Sequence, residues 1–208
     1  MKQTLVVTLL ALLLSTESPC QNGKMPRYLG DPILTDSLST LFFPTRYNEE
    51  LLSTNKIAFW RDYYANVVVY DFNKDQHVKL FPTDTYIASF THNSDYHNGS
   101  YVREKAKNIT AKWVFLLVRN VDTNNNGRID ENDPSILYVV TTKGENLKAI
   151  TQPTENVVSF NMFEAQGFCL IEIQRDSNND KSFKDNDKQF YYKKIDLESL
   201  TLGNEISL

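Results

Sequence analysis

The sequence predicts an all-β fold built from three similar units of four strands each. Three segments resemble one another, at residues 57–81, 114–150 and 169–202. Each begins with an apolar run that ends in Arg-Asp or Arg-Asn, and each continues through a turn into a second run rich in Val and Tyr. Runs of β-branched and aromatic residues bounded by polar turns are typical of strands. We therefore expect short strands throughout these three segments.

The spacing of the segments indicates propeller-like sheets. Arg61, Arg119 and Arg175 close the first run of each unit, and they recur about every 57 residues. The link between units also recurs, because residues 78–90 align on residues 147–160 and pair Ser89-Phe90 with Ser159-Phe160. Units of this length with four short strands are typical of propeller blades. Their composition suits sheets that are buried on both faces.

The chain resembles the TolB-like β-propeller repeat family over about residues 55–203. The resemblance is carried by the pattern Ile-Ala-Phe, Arg-Asp and Tyr-Asp within residues 57–71 and by its two weaker copies. The Pro-Asp-Gly turn that is usual in the family is absent from all three copies. The resemblance implies a non-enzymatic protein of the cell envelope that binds a partner protein or a cell-wall component.

The number of units leaves the overall architecture open. Closed propellers have about four to eight blades, so three units would form an open arc, a ring closed by a homodimer, or a compact β-domain. We expect the repeat domain at residues 55–208, preceded by a segment at 21–54 that is a candidate to cover an exposed sheet edge. The polar insertion 92–110 interrupts the second unit, and loops of this kind carry recognition more often than strands do.

The first twenty residues predict an exported protein of the periplasm or cell envelope. Lys2 precedes the apolar run 4–14, which is too short to span a membrane and has the length of a signal-peptide core. Cys20 is the candidate for lipidation, which would be the protein's one attachment to a membrane; cleavage nearby without lipidation is the alternative. Cys169 lies in the apolar run 168–173, where we expect a small buried hydrophobic residue.

Charge and composition exclude some classes of partner. The chain has 208 residues, a net charge of −4, a pI near 5.4 and 41% hydrophobic residues. It therefore offers no basic surface for nucleic acid, and it is too apolar to be disordered throughout.

Loop 1, residues 121–135, matches a calcium loop of the EF-hand type in the spacing of its oxygen-bearing residues. Gly127 stands at the sixth position, where a sharp turn is needed, and the acid at the twelfth position is an aspartate, as in dockerin loops. The flanking runs are strands rather than helices, so we expect the loop to join a β-hairpin. The predicted ligands of loop 1 are Asp122, Asn124, Asn126, Arg128 through its carbonyl, Asp130 and Asp133.

Loop 2, residues 176–187, repeats the pattern in the third unit. Phe183 takes the anchoring position that Ile129 takes in loop 1, whereas Lys181 replaces the glycine and Lys184 replaces the ninth-position acid. We therefore expect loop 2 to bind more weakly than loop 1 or not at all. Its predicted ligands are Asp176, Asn178, Asp180, Ser182 through its carbonyl and Asp187.

Two interpretations compete for these loops. Asp, Asn and Gly form turns by hydrogen bonding to their own backbone, with no ion involved. Two copies at matching points of a repeat favour structural calcium, Ca²⁺ being the expected cofactor. We find no catalytic motif, so we expect no enzyme. The alternative function is a carbohydrate-binding or carbohydrate-acting domain that uses Trp60, Tyr63, Tyr64 and Tyr70, and the insertion offers a weaker metal candidate in His92, Asp95 and His97.

Overall fold

The computed structural model describes residues 27–30, 32–34, 39–47, 63–91, 112–184 and 186–207. These residues form thirteen strands and a 3₁₀ helix, Glu164–Gln166. They contain no helix that is long and apolar enough to cross a membrane. Several predicted features lie outside the described residues, namely the signal peptide 1–20 with Cys20, the first repeat strand expected at 57–61, and the insertion 92–110 with its histidines.

The strands form three antiparallel units, which confirms the predicted all-β class. The first unit contains β1 (Arg27–Leu29), β2 (Ile33–Leu34), β3 (Thr40–Tyr47), β4 (Tyr64–Asp71) and β5 (Gln76–Lys79). The second contains β6 (Tyr86–Thr91), β7 (Trp113–Arg119), β8 (Ile136–Thr141) and β9 (Lys148–Ala149). The third contains β10 (Glu155–Phe163), β11 (Phe168–Arg175), β12 (Phe190–Asp196) and β13 (Leu202–Ile206).

The second and third units are meanders in which each strand pairs with the next along the chain. In the first unit β4 pairs with both β3 and β5, so that β1, β2 and β3 of the segment 21–54 belong to its sheet. The first two units join into one nine-stranded sheet through a single pair, Tyr64 with Ile87. Among the described strands, each sheet ends in a strand with a free edge, and neither sheet closes on itself.

A shared irregularity supports the predicted repeat. The pairing of β6 with β7 shifts register between Ile87 and Ser89, and the pairing of β10 with β11 shifts between Val157 and Ser159. These are the positions that the sequence alignment places opposite each other. A bulge bends its strand and increases the local twist, so the first strands of both units carry the same bend.

The core has two layers, one on each face of the second unit. All five central residues of β7 are buried. Phe115 and Leu117 pack in one cluster with Ile171 and Ile173 of the third unit. The alternate residues of β7, which are Val114, Leu116 and Val118, belong to the other cluster, with Val67 and Val69 of the first unit. Each fully buried apolar side chain of this size contributes about 1.5–3 kcal/mol relative to its exposure, so the second unit supplies much of the stability.

The two predicted loops lie at the same end of the sheets. Loop 1 connects β7 to β8, and loop 2 connects β11 to β12. Both pairs of strands are antiparallel neighbours. The prediction that strands rather than helices flank the loops is therefore confirmed, and the two hairpins hold the loops on a buried scaffold.

Candidate metal centre

Loop 2 brings three carboxylates together. One carboxylate oxygen each from Asp176, Asp180 and Asp187 lies within 4.8 Å of the others. No other group of three His, Cys, Asp or Glu side chains in the described ranges meets this distance. The group could hold a metal ion, because three hard oxygen atoms converge on one space.

Hydrogen bonds from the backbone fix the first of these carboxylates. Asp176 Oδ1 accepts a bond of 3.2 Å from the N–H of Asp180, and its Oδ2 accepts one of 2.8 Å from the N–H of Lys181. An ionised carboxylate oxygen can accept more than one bond, so each oxygen keeps a lone pair for a further partner. The turn therefore orients Asp176 without using up its capacity to bind an ion.

Asp187 is held still more firmly, in a buried position. It is 1% exposed. Its Oδ1 accepts bonds from the hydroxyl and the N–H of Ser177, at 2.7 and 3.0 Å, and its Oδ2 accepts one of 3.2 Å from the N–H of Lys184. These bonds, that of the Ser177 hydroxyl first, outweigh burial and hold the pKa of Asp187 below its ordinary value. The carboxylate is therefore ionised at neutral pH.

Loop 1 repeats this arrangement bond for bond. Asp122 accepts from the N–H groups of Asn126 and Gly127, and Asp133 accepts from the N–H and hydroxyl of Thr123 and from the N–H of Asp130. Each bond has its counterpart in loop 2, 54 positions later along the chain, as from Asp122 to Asp176. In both loops, the side chain at the third position accepts a bond from the N–H of the fifth residue, and the side chain at the fifth position accepts one from the N–H of the seventh. The sequence alignment of the two loops is therefore also a structural one.

The loops differ at the ninth position. In loop 1 this position is Asp130, which accepts bonds of 2.9 to 3.0 Å from Asn126 and Asn132. Burial raises the pKa of Asp130, but the bonds from Asn132 and Asn126 and the nearby Arg128 outweigh it, and the pKa is lowered overall. In loop 2 the ninth position is Lys184. At the three positions whose carboxylates converge in loop 2, loop 1 has two carboxylates, Asp122 and Asp133, and one amide, Asn126.

Both loops require left-handed backbone at the same two positions. Asn125 and Asn179 have φ of 57° and 59°, and Gly127 and Lys181 have φ of 85° and 61°. Asparagine and glycine tolerate this conformation, whereas for other residues it is unfavourable by about 1 kcal/mol or more. The backbone of Lys181 is therefore strained. This is the sixth position of the loop, where loop 1 has glycine.

Exchanging lysine and glycine at the sixth positions of the two loops is expected to change the free energy of unfolding in opposite directions. Lys181→Gly should raise the free energy of unfolding by about 0.5–1 kcal/mol, and Gly127→Lys should lower it by about as much. A side chain at position 127 meets no atom within 4 Å of its Cβ, so backbone strain alone is tested. Urea unfolding with and without Ca²⁺ measures both effects. Equal midpoints for Lys181→Gly and the parent chain would contradict the assignment of strain.

The two loops are in direct contact. The Thr123 hydroxyl donates to the carbonyl oxygen of Lys181 at 2.8 Å, and the N–H of Phe183 donates to the carbonyl oxygen of Asn132 at 2.7 Å. Phe183, the predicted anchor of loop 2, is buried at 5% exposure. The loops therefore form one polar layer rather than two separate turns.

A buried pair of amide side chains, which we call the amide relay, also joins the hairpins. Asn156 Oδ1 accepts from the N–H of Ser135, at the end of loop 1, and its Nδ2 donates to Gln174 Oε1 at 2.7 Å. Gln174 Nε2 donates to the carbonyl oxygens of Lys184 and Asp187 in loop 2, at 3.1 and 2.8 Å. Sequence reasoning missed these residues. The signal that could have found them is a neutral amide directly beside an apolar residue pair or run within a strand, as in 156–158 and 171–174.

One polar atom of loop 2 is left over. Ser182 is 3% exposed, and its hydroxyl oxygen has no hydrogen-bond partner among the described residues. A buried polar atom without a partner costs about 1–3 kcal/mol, and such atoms usually bind water or an ion. The predicted contribution of Ser182 to a site was its carbonyl oxygen, so the hydroxyl is an additional polar group in this loop.

Comparisons with known proteins give no family for the chain. No protein-family model matches it, and no curated protein matches it. The functional interpretation therefore depends on the geometry of the loops and on the sequence.

The remaining predicted candidates occupy ordinary structural positions or lie outside the described residues. Cys169 is a free, fully buried thiol, as expected, and burial raises its pKa to about 12. Arg46 lies 5.2 Å from the centroid of the Tyr64 ring, and the Tyr70 hydroxyl donates to Asp75. Outside the described residues are Trp60, His92, Asp95 and His97.

Proposed function

We propose that the protein is an exported, non-enzymatic binding module whose two hairpin loops are stabilised by calcium ions. The observation that carries the proposal is the convergence of Asp176, Asp180 and Asp187 within 4.8 Å. Two carboxylates about 4 Å apart repel by about 1 kcal/mol in bulk water and by about 4 kcal/mol at the effective dielectric constant near a protein surface. A bound cation would turn this repulsion into attraction.

The donor set favours a hard cation that takes several oxygen ligands. Ca²⁺ binds six to eight oxygens at about 2.3–2.6 Å, so oxygens on opposite sides of one ion are about 4.6–5.2 Å apart. The three oxygens of loop 2, all within 4.8 Å of one another, are close enough to share one such ion. The side chains of Asp176, Asn178, Asp180 and Asp187 and the carbonyl of Ser182 would hold the ion in loop 2. The matching positions of loop 1, together with Asp130, would hold a second ion with the same number of carboxylate ligands and one more amide ligand.

The structural role of the ion follows from the hydrogen bonds of its ligands. Asp122 and Asp176 already accept backbone N–H groups across the first turn of each loop. An ion bound between these turns and the buried Asp133 or Asp187 would fix the loop ends to the strands. Side chains committed in this way are poorly suited to proton transfer, which supports a binding role rather than catalysis. The apolar N-terminus supports export to the envelope, where the partner would be a protein or a cell-wall component.

Removing calcium is expected to destabilise the protein. Extracellular calcium modules bind with dissociation constants of about 10⁻⁴–10⁻³ M. At ten times this constant, calcium would add about 1.4 kcal/mol to the free energy of unfolding for each site. Thermal and urea unfolding in Ca²⁺, in Mg²⁺ and in EGTA measure the gain. Asp176→Asn should remove the contribution of loop 2, and Asp122→Asn that of loop 1.

A turn carboxylate outside the loops provides the matched control. Asp71 accepts bonds from the N–H groups of Asn73 and Lys74 in the turn after β4, and it lies in neither loop. Asp71→Asn should leave the response to calcium unchanged. The proposal fails if EGTA and Ca²⁺ give the same melting temperature for the parent chain.

A further inference from the structure

Loop 1 contains an asparagine in the sequence context that favours spontaneous deamidation. Asn126 is followed by Gly127, and both residues are exposed. A Cβ at position 127 would meet no atom within 4 Å, so open space lies beside the pair. The other Asn-Gly pairs of the chain, at 22–23 and 98–99, lie outside the described residues. Within the described part of the chain, Asn126 is therefore the one asparagine that precedes a glycine.

The reaction is hydrolysis of the side-chain amide through a cyclic imide. The Gly127 nitrogen, once a base in the solvent has taken its proton, attacks Cγ of Asn126. The new C–N bond closes a five-membered ring, the bond from Cγ to Nδ2 breaks, and ammonia leaves with protons from water. A water molecule then opens the ring at either carbonyl, which gives aspartate or isoaspartate. Glycine favours the first step because it has no side chain to obstruct the approach.

The closed loop restrains both reacting groups. The N–H of Gly127 donates to Asp122 Oδ2 at 2.9 Å, so the nitrogen keeps its proton and is directed towards that carboxylate. The amide of Asn126 is bound at both ends, since its Oδ1 accepts from the N–H of Arg128 and its Nδ2 donates to Asp130 Oδ2, each at 3.0 Å. Attack on Cγ requires the first of these bonds to break and the amide to turn. The reaction therefore proceeds through a locally opened loop.

Loop 2 shows what the aspartate product would resemble. Its fifth position is Asp180, whose Oδ1 accepts from the N–H of Ser182 at 2.9 Å, just as Asn126 accepts from the seventh residue of loop 1. Aspartate at position 126 keeps this acceptor. Isoaspartate instead lengthens the main chain by one carbon before Gly127, so the N–H groups of the turn no longer match their acceptors. The first product is compatible with the closed loop and the second is not.

We propose that Asn126 is a deamidation site and that the closure of loop 1 sets the rate of its conversion. Each hydrogen bond that stabilises the closed loop lowers the population of the open loop in which the imide can form. The reaction consumes water and needs no ion, enzyme or cofactor. The inference is therefore independent of the proposed calcium sites. Its consequence is a slow chemical change at the loop end, where loop 1 contacts loop 2.

Peptide mapping by mass spectrometry tests the inference. The full chain is incubated at neutral pH in EGTA, so that no bound ion contributes, and is then digested briefly with trypsin at mildly acidic pH. Cleavage after Arg119 and Arg128 releases the peptide 120–128, in which fragmentation locates the converted residue. Asn126 should convert at least about tenfold more slowly in the full chain than in the free peptide 120–128, because several hydrogen bonds hold the closed loop. Conversion at Asn124 or Asn125 instead of Asn126 would overturn the inference.

Two variants remove bonds that hold the reacting groups. Asp122→Ala removes the acceptor of the Gly127 N–H, and Asp130→Ala removes the acceptor of Asn126 Nδ2. Each should speed conversion at Asn126 by about three- to thirtyfold, as expected for the loss of one or two hydrogen bonds. Asp71→Ala, which removes a carboxylate that accepts two N–H groups in a turn of the first unit, is the matched control. It should leave the rate unchanged.

The same peptide maps check that the variants are folded. Cys169 is a fully buried thiol, so its alkylation reports unfolding of the third unit. Faster conversion at Asn126 with Cys169 still protected supports control by loop 1. Where one variant exposes the thiol, the other variant and the comparison with the free peptide decide. Equal rates in the full chain and the free peptide, or equal rates in the parent chain and the folded loop variants, would overturn the inference.

Discussion

Gln174→Ala is expected to lower the free energy of unfolding by about 2–4 kcal/mol. Gln174 is 9% exposed and makes three hydrogen bonds in the amide relay, one to Asn156 and two to carbonyl oxygens of loop 2. Truncation leaves these groups without partners, and each buried unpaired group costs about 1–3 kcal/mol. Water that enters the space left by the side chain can bond to these groups. The expected loss in the free energy of unfolding is therefore smaller than the sum of the separate costs. Urea unfolding with a constant slope measures it.

A double-mutant cycle shows whether the amide relay acts as one unit. Asn156→Ala should cost a similar amount, because Asn156 is 7% exposed and also bonds to Ser135. Since the two side chains share a hydrogen bond, the double variant should cost at least 0.5 kcal/mol less than the two single losses together. Gln152→Ala, at an exposed position, is the control and should cost little. Strict additivity of the two losses would show that the side chains act independently.

Gly144→Ala is expected to be about as damaging, for a different reason. A Cβ at Gly144 would lie 2.4 Å from one methyl carbon of Val69 and 2.8 Å from the other, and the residue has φ of 77°. Left-handed strain costs about 1–2 kcal/mol, and overpacking a core adds about 1–3 kcal/mol. The total loss should be about 2–5 kcal/mol, because the turn after β8 rests directly on β4 of the first unit.

Gly167→Ala separates the two contributions. Gly167 has φ of 73°, but a Cβ there meets no atom within 4 Å. It should therefore show the strain alone, about 1–2 kcal/mol. Thermal or urea unfolding of both variants gives the difference, which is the cost of the contact with Val69. Equal losses in the two variants would mean that Val69 moves aside freely and that the turn does not pack tightly on the first unit.

Local sequence patterns predicted the units, the hairpins and the loop alignment, because these depend on neighbours along the chain. The continuous apolar run of β7 and the repeated Asx spacing of the loops are local properties of this kind. The bulges near Ser89 and Ser159 were not predicted, but they fall at positions that the sequence alignment pairs. The sequence thus predicted the strands of the repeat segments and the correspondence of the two loops, but not β1, β2 and β3, which lie in the segment 21–54.

Contacts between units could not be predicted, because they depend on which sheets face each other. The amide relay reaches the second unit through the bond from the N–H of Ser135 to Asn156, 21 positions apart, and the Trp113 bond to Leu197 joins residues 84 positions apart. The sequence also gave no sign that β3 would pair with β4, since the segment 21–54 was expected to stand before the repeats as a candidate edge cover. The expectation that loop 2 binds calcium more weakly than loop 1, or not at all, stays a prediction. The carboxylates converge in loop 2, although loop 1 has the better match to a calcium pattern.

The placement of both loops at one end of the sheets has a consequence for how the sequence can change over time. At that end, the two loops bond to each other and to the amide relay, so an inserted or deleted residue in one loop would break bonds in both hairpins. The connections at the opposite end between β10 and β11 and between β12 and β13 take no part in the bonds recorded among the described residues of the loop end. Descendants of this chain can therefore lengthen or diversify those connections, and acquire new specificities, while the loop end is inherited nearly intact.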